Sequence, residues 1–144
     1  MANVTRPRLH HSALTVTEVD ASVAWYQDVF GVRFQMDVPH RGGVGKLLSD
    51  ESHELMIVLH HHDANDGGLF GETATGLDHA GFLVGGRADL EAWQAHLEDN
   101  GVVRSPTANK PSTQSPIADE NYGSVLVFRD LDNIQLEIFS PPEA

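Results

Sequence analysis

His11-Ser12-Ala13-Leu14-Thr15-Val16 is echoed 68 residues later by His79-Ala80-Gly81-Phe82-Leu83-Val84. Each stretch reads as a strand opened by a histidine. Each then leads into a helical segment carrying a tryptophan, Trp25 and Trp93, again 68 residues apart. A duplication that returns a histidine to the same place in both copies suggests a site shared between the copies. Near the end of the chain, Gln135-Leu136-Glu137-Ile138-Phe139 sets a carboxylate in a strand-like segment. Two imidazoles and one carboxylate make a ligand set for a divalent metal.

Working outward, Leu9 to Val16 is a plausible first strand. Asp20 can cap the helix that follows, with Val23, Ala24, Trp25, Val29 and Phe30 as apolar members. Gly31 ends it, because glycine enters the left-handed conformation without strain. Strands are expected over 32–38, 44–49 and 54–60, with Arg41-Gly42-Gly43 and Asp50-Glu51-Ser52-His53 as turns. From His61 to Gly76 the glycines and short polar residues read as a connector. In the second copy a strand to Val84 precedes a helix over 89–98, whose Leu90, Trp93 and Leu97 keep helical spacing, and Gly101 ends it. Val102-Val103 opens a short strand. Residues 105–121 read mostly as a loop, and 122–128 and 134–139 as the last strands, joined by the turn Asp130-Leu131-Asp132-Asn133. Each half is therefore βαβββ: a first module over 8–62, a connector over 63–76 and a second module over 77–141.

With 144 residues the chain has the size of one domain and can bury a substantial core. It has no cysteine, which excludes disulfides, thiolate metal sites and thiol nucleophiles. The formal charge is −12, and lysines and arginines are scattered without a basic stripe, so nucleic acid is not an expected partner. An acidic field can steer a cationic ligand, although solubility is the plainer account of it. No stretch is long and apolar enough to span a bilayer, and the N-terminus lacks an apolar signal core. The expectation is a cytoplasmic protein without a membrane partner.

Among the chemistry-bearing residues, His11, His79 and Glu137 are all borne by expected strands, which can hold ligands rigidly. The plain alternative is two packed, hydrogen-bonded histidines and a solvent-facing glutamate. His10 should face away from His11, since neighbours in a strand alternate. His60-His61-His62 alternates faces and runs into a loop, so it reads as a surface cluster with adventitious metal affinity. His40 and His53 lie by turns and read as structural or exposed. Glu120 and Tyr122 sit where the long loop re-enters the sheet, a substrate-facing place, although Tyr122 serves equally as an aromatic anchor. Ser112, Thr113 and Ser115 have no fitted base, and the glycine pairs lack the spacing of a phosphate loop.

These residues give the chain a resemblance to the vicinal oxygen chelate superfamily, which includes glyoxalase I, fosfomycin resistance proteins, extradiol dioxygenases and bleomycin-binding proteins. The marks are His11 to Val16, then Ser22-Val23-Ala24-Trp25-Tyr26-Gln27-Asp28-Val29-Phe30-Gly31, then Leu77-Asp78-His79-Ala80-Gly81-Phe82. The run Phe128 to Phe139 completes them. The resemblance implies a single α+β domain over 1–144, its two βαβββ modules forming a curved mixed sheet around a shared cleft. It implies a divalent metal (Fe, Mn, Ni or Zn) on His11, His79 and Glu137. A fourth ligand position, a glutamate in glyoxalase I, should fall within Glu54-Leu55-Met56-Ile57-Val58-Leu59, where the inward candidates are Met56 or Ile57.

The activity so implied is that of a metal-dependent lyase, isomerase or oxygenase acting on a small molecule with vicinal oxygens. Tyr122 or Glu120 would then position substrate or carry a proton. The competing class is a non-catalytic sequestering protein of the bleomycin-resistance type. A homodimer is the assembly the resemblance implies.

Overall fold

The protein is described from a computed structural model that covers residues 3–143. The chain divides into two compact units, Met1–Asn65 and Asp66–Ala144. The first contains β1 (Ser12–Thr15), α1 (Val19–Phe30), β2 (Arg33–His40), β3 (Gly43–Ser49) and β4 (Met56–His62). The second contains β5 (Ala80–Leu83), α2 (Arg87–Asp99), β6 (Val103–Arg104), β7 (Thr113–Gln114), β8 (Ala118–Glu120), β9 (Gly123–Arg129) and β10 (Gln135–Ser140). The α+β class matches the reading of the sequence; the first unit is βαβββ, and the second adds the short strands β7 and β8 to that pattern.

In the first unit the strand order is β1-β4-β3-β2, with β1 parallel to β4 and the remaining pairs antiparallel. Leu14, Leu48, Ile57 and Leu59 share one face by register and are all buried. Helix α1 packs on that sheet and buries Ser22, Trp25, Tyr26 and Val29, a stripe at helical spacing. Gly31 closes the helix at φ 71°, a backbone state that costs other residues strain. Asp20 was expected to cap this helix, but the N-cap is Glu18, which makes no side-chain capping bond. Asp20 instead lies within the first turn, where its carboxylate complements the helix dipole.

The second unit repeats the plan. Its sheet runs β5-β10-β9-β7-β6 with β8 paired to β9, and β5 is parallel to β10. Leu126, Phe128, Leu136 and Ile138 form the buried face, and α2 contributes Leu90 and Leu97. Trp93, on the same helical stripe, lies 6.4 Å from the Phe128 ring. The loop expected over 105–121 holds two short strands, β7 and β8. Buried Gln114 anchors it by donating to the carbonyls of Val102 at 2.9 Å and Gln94 at 3.1 Å. Strands of two and three residues are too short for a periodicity to be read in a stretch rich in proline and polar residues.

The closing turn is built as expected. Asp130 Oδ1 accepts from the backbone N–H groups of Asp132 and Ile134, each at 2.8 Å. Beside it, the side chain of Arg129 is only 4% exposed. Its guanidinium donates to both carboxylate oxygens of Glu72, at 2.9 and 3.0 Å, and to Gln135 Oε1 at 2.9 Å. Its remaining bonds reach the carbonyls of Ala108 and Asn133. A buried cation left without its carboxylate would be costly, so Glu72 ties the connector to the sheet.

The Arg129 guanidinium holds the Glu72 carboxyl down at about 2, from an ordinary value of 4.5. A depressed carboxyl stabilises the fold above its unfolded pKa, and that contribution disappears as pH falls through the folded one. Urea unfolding at a series of pH values should therefore show wild-type stability declining between 4.5 and about 2. Glu72→Gln should be less stable at neutral pH and should lose this part of the decline, so that the two proteins converge toward the acid end.

Candidate functional site

His79 stands one residue before β5, and Glu137 lies in β10 directly across from Gly81. His79 precedes the first paired residue, Ala80, whose partner is Leu136, so its imidazole comes up beside the strand that carries Glu137. A Cβ on Gly81 would meet nothing within 4 Å, so the surface beside the two side chains is open. They form a close pair, with His79 Nε2 3.1 Å from Glu137 Oε2. On the other side of the ring, His79 Nδ1 lies 2.7 Å from Asp78 Oδ1. That oxygen also accepts from Gln135 Nε2 at 3.0 Å, which fixes the aspartate.

Both ring nitrogens of His79 thus face carboxylate oxygens. A neutral imidazole has one N–H to give. If Nδ1–H goes to Asp78, the Nε2 lone pair points at an anion and calls for a proton or a metal cation between the two. The donor set fits a divalent metal on this ground. A carboxylate that orients the far nitrogen of a ligating histidine is the usual outer partner of such a ligand. The side chains are 39% and 20% exposed, so solvent or substrate reaches them.

His11, the repeat partner of His79, likewise stands one residue before its strand, β1. His10 was expected to face away from it. Instead the Nδ1 atoms of His10 and His11 meet at 2.9 Å, because both residues precede the first paired residue, Ser12, and strand alternation does not govern them. Tyr122 and Glu120 flank the turn between β8 and β9, and both are exposed. The Tyr122 ring stacks on Phe139, with centroids 6.4 Å apart and planes 10° from parallel. Phe139 shares a face with Glu137 two residues away, so Tyr122 caps the aromatic neighbour of the carboxylate.

A second cluster draws on the His60-His61-His62 run, which the sequence presents as a surface group of adventitious metal affinity, and adds His40 to it. His60 and His62 share one face of β4, and His61 turns to the other and meets Asp63 at 3.0 Å. His40, the last residue of β2, joins the first two, its ring 5.1 Å from that of His60 and 4.9 Å from that of His62. One nitrogen of each ring lies within 4.8 Å of the others, an arrangement that could hold a metal ion. Burial, then the neighbouring His40, His62 and His11, push the His60 pKa down and keep its ring neutral. The signal was present in the i, i+2 spacing of His60 and His62. The partner was not, since His40 reads as a turn residue until the register of β2 is known.

The sequence profile of the Glyoxalase/Bleomycin resistance protein/Dioxygenase superfamily matches residues 8–138. The chain belongs to this superfamily. A glyoxylase/bleomycin resistance protein/dioxygenase domain from Frankia sp. EAN1pec is 28% identical, with a TM-score of 0.82 over 97% of this chain and 96% of that one. A variant of the fosfomycin resistance protein FosX from Listeria monocytogenes, solved with Mn(II) and 1S,2S-dihydroxypropylphosphonic acid, is 16% identical. Its TM-score is 0.62 over 94% of this chain and 93% of that one. TnmS3, an antibiotic binding protein from Streptomyces sp. CB03234, is also 16% identical, with a TM-score of 0.66 over 97% and 100%. Among curated proteins none matches the sequence.

Within the superfamily's repeated module, the register identifies the first-unit counterpart of Glu137. Glu137 pairs with Gly81, and the repeat equivalent of Gly81 is Ala13, which pairs with Val58. Sequence reading had placed this position at Met56 or Ile57. Ile57 is buried on the helix-covered face, and Met56 is one alternate place too early. Glu54 lies outside β4 altogether. The first unit therefore carries an apolar side chain where the second carries a carboxylate.

Removing the orienting aspartate should change the His79 ring directly. In wild type, long-range nitrogen–proton NMR should show the His79 Nδ1–H held toward Asp78. In Asp78→Ala, the hydrogen-bond donor should move to Nε2, facing Glu137. An unchanged ring pattern would mean that Asp78 does not set the tautomer.

Proposed function

We propose that the protein is a divalent-metal-dependent lyase, isomerase or oxygenase acting on a small molecule with vicinal oxygens. The observation that carries this reading is the Asp78–His79–Glu137 array, in which an imidazole has carboxylates at 2.7 and 3.1 Å on its two nitrogens. His79 Nε2, Glu137 Oε2 and His11 would be the protein donors, to Fe(II), Mn(II), Ni(II) or Zn(II). Two neutral imidazoles and one carboxylate suit cations of borderline or harder character and leave positions for substrate oxygens. When bound, such a cation supplies Lewis acidity that stabilises a developing oxyanion on substrate.

The chain's own groups have distinct tasks in this reading. Asp78 holds the Nδ1 side of His79, so that Nε2 presents a lone pair in a fixed direction. Gln135 keeps Asp78 from rotating away. Val58 offers no base at the position where a fourth carboxylate could stand, so proton movement falls to groups of the second unit. Glu120 is an exposed carboxylate able to accept a proton, and the Tyr122 hydroxyl, on a ring braced by Phe139, can donate one to a substrate oxygen.

A second reading, non-catalytic sequestration of a small aromatic or cationic molecule, draws on one observation. The Tyr122–Phe139 stack leaves a tyrosine ring 60% exposed, a platform for a flat ligand on an acidic protein.

Protein prepared anaerobically without a histidine tag distinguishes the two. We expect metal bound in stoichiometric amount, with one equivalent lost in His79→Ala and in Glu137→Ala. Asp78→Ala should retain the site with affinity lowered roughly 10- to 100-fold. The metal-loaded protein is then screened for oxygen uptake and for isomerisation or addition on dicarbonyl, epoxide and catechol substrates. Loss of turnover in Glu137→Ala supports the enzyme. Metal content indifferent to all three substitutions would leave sequestration as the function.

A further inference from the structure

We propose that His40, His60 and His62 form a second cation site, selective for a borderline divalent transition metal such as Zn(II), Ni(II) or Cu(II). It uses none of the residues of the His79–Glu137 array, and its argument does not rest on the function proposed for that array.

The first support is the way the sheet makes room for the rings. His40 is on β2 and the other two histidines are on β4, with β3 between them. Neighbouring strands lie about 4.8 Å apart, so side chains two strands apart meet only by leaning over the strand between. At the two relevant positions that strand has no side chains. Gly43 pairs with His40 on one side and with His62 on the other, and Gly45 pairs with Val38 and with His60. A Cβ on Gly45 would lie 2.8 Å from His60 Cε1, and one on Gly43 would lie 2.7 Å from His40 Cε1. At Gly43 the backbone carbonyl of His61 would meet that Cβ first, so it is at Gly45 that the imidazole of His60 takes the volume another residue of β3 would fill.

The second support is donor orientation. His40 Nδ1 lies 3.1 Å from the carbonyl of Arg41, an acceptor that draws the ring proton to Nδ1. Its Nε2 then presents a lone pair toward His60 Nδ1, 3.1 Å away. Two nitrogens this close share one proton, and a cation taking the place of that proton would be bound by both. The His62 ring stands nearly parallel to that of His60, with centroids 5.7 Å apart. Backbone anchoring of the far nitrogen is the outer support that metal-ligating histidines commonly have.

The lining sets the selectivity. Besides the three histidines, a cavity of about 360 Å³ is bounded by Ala13, Thr15 and Val38. Among the described residues no carboxylate lines it, so hard cations that require anionic oxygen ligands, such as Mg(II) and Ca(II), gain little there. Neutral imidazoles instead suit zinc, nickel and copper, and three of them leave a vertex open. Because the ligands carry no charge, the bound ion would keep its full charge and draw a water or an anionic oxygen to the open side.

The test uses the untagged full-length protein, stripped with chelator, in a His79→Ala/Glu137→Ala background that removes the other array. Zn(II) is titrated at neutral pH while the histidine rings are followed by long-range nitrogen–proton NMR, and retained metal is counted after gel filtration. We expect one equivalent retained, with the ring signals of His40, His60 and His62 moving together. His40→Gln should lower the affinity by more than the roughly 10- to 100-fold typical of losing an outer partner. His62→Gln reads the same point if that variant fails to fold. His61→Gln, in the same histidine run but on the opposite face, should change nothing. The proposal is overturned if the three rings do not respond at stoichiometric Zn(II), or if His61→Gln weakens binding as much as His40→Gln does. The reciprocal background, His40→Gln/His62→Gln, reports the other array alone, so failure at one site is read apart from failure at the other.

Discussion

The constraint on which the chemistry depends is the parallel pairing of the first strand of each unit with the last. In the second unit it sets Gly81 against Glu137, and in the first it sets Ala13 against Val58. Side chains in a strand alternate with a period of two, so a slip of one residue would turn every side chain to the other face. Such a slip in β10 would bring Glu137 under the helix and expel Leu136 and Ile138, both fully buried. The apolar core therefore aims the carboxylate. Likewise Ile57 and Leu59, packed on the helix side of β4, hold Val58, His60 and His62 on the opposite face.

That dependence explains what could be read from the sequence alone. The helices were legible because Trp25, Tyr26 and Val29, and Leu90, Trp93 and Leu97, keep helical spacing and are followed by glycines. His11 and His79 stood out through the repeat and Glu137 through its place in the last strand, and His79 Nε2 lies 3.1 Å from Glu137 Oε2. What the sequence hides is register. Whether Met56, Ile57 or Val58 answers to Glu137 depends on a pairing across more than forty residues, and no local pattern reports it. His40 was missed for the same reason, since its link to His60 and His62 exists only through the two ladders of β3. Gln135 and Asp78 were passed over as well, because a hydrogen bond that orients a ligand has no signature in composition.

Charge separates the two histidine-bearing sites. Asp78 and Glu137 bring two carboxylates to one imidazole, an arrangement that is anionic until a cation joins it. Among the described residues the His40 cluster has no carboxylate, and it sits on a chain whose formal charge is −12. The first kind of site compensates a divalent ion internally and tolerates harder metals. The second leaves the ion uncompensated, to be balanced by an exogenous anion or by the diffuse field of the protein. The two donor sets would therefore select different cations from the same mixture. Arg129 carries no comparable potential, because Glu72 neutralises it within bonding distance.

Stability alone would not choose the residues of β3. An interior strand favours valine, isoleucine or threonine, and a glycine there costs roughly 0.5–1 kcal/mol relative to alanine. Gly43 opens the strand that β2 and β4 flank and Gly45 lies inside it, so the sheet carries that interior cost at Gly45. It also brings three polar rings together on a partly exposed face that apolar side chains could cover. Local choices that work against the surrounding fold are expected where a site needs them. Gly43 is required by the backbone carbonyl of His61, which a Cβ would run into, whereas at Gly45 the nearest obstacle is the imidazole of His60, so it is Gly45 that makes room for the cluster.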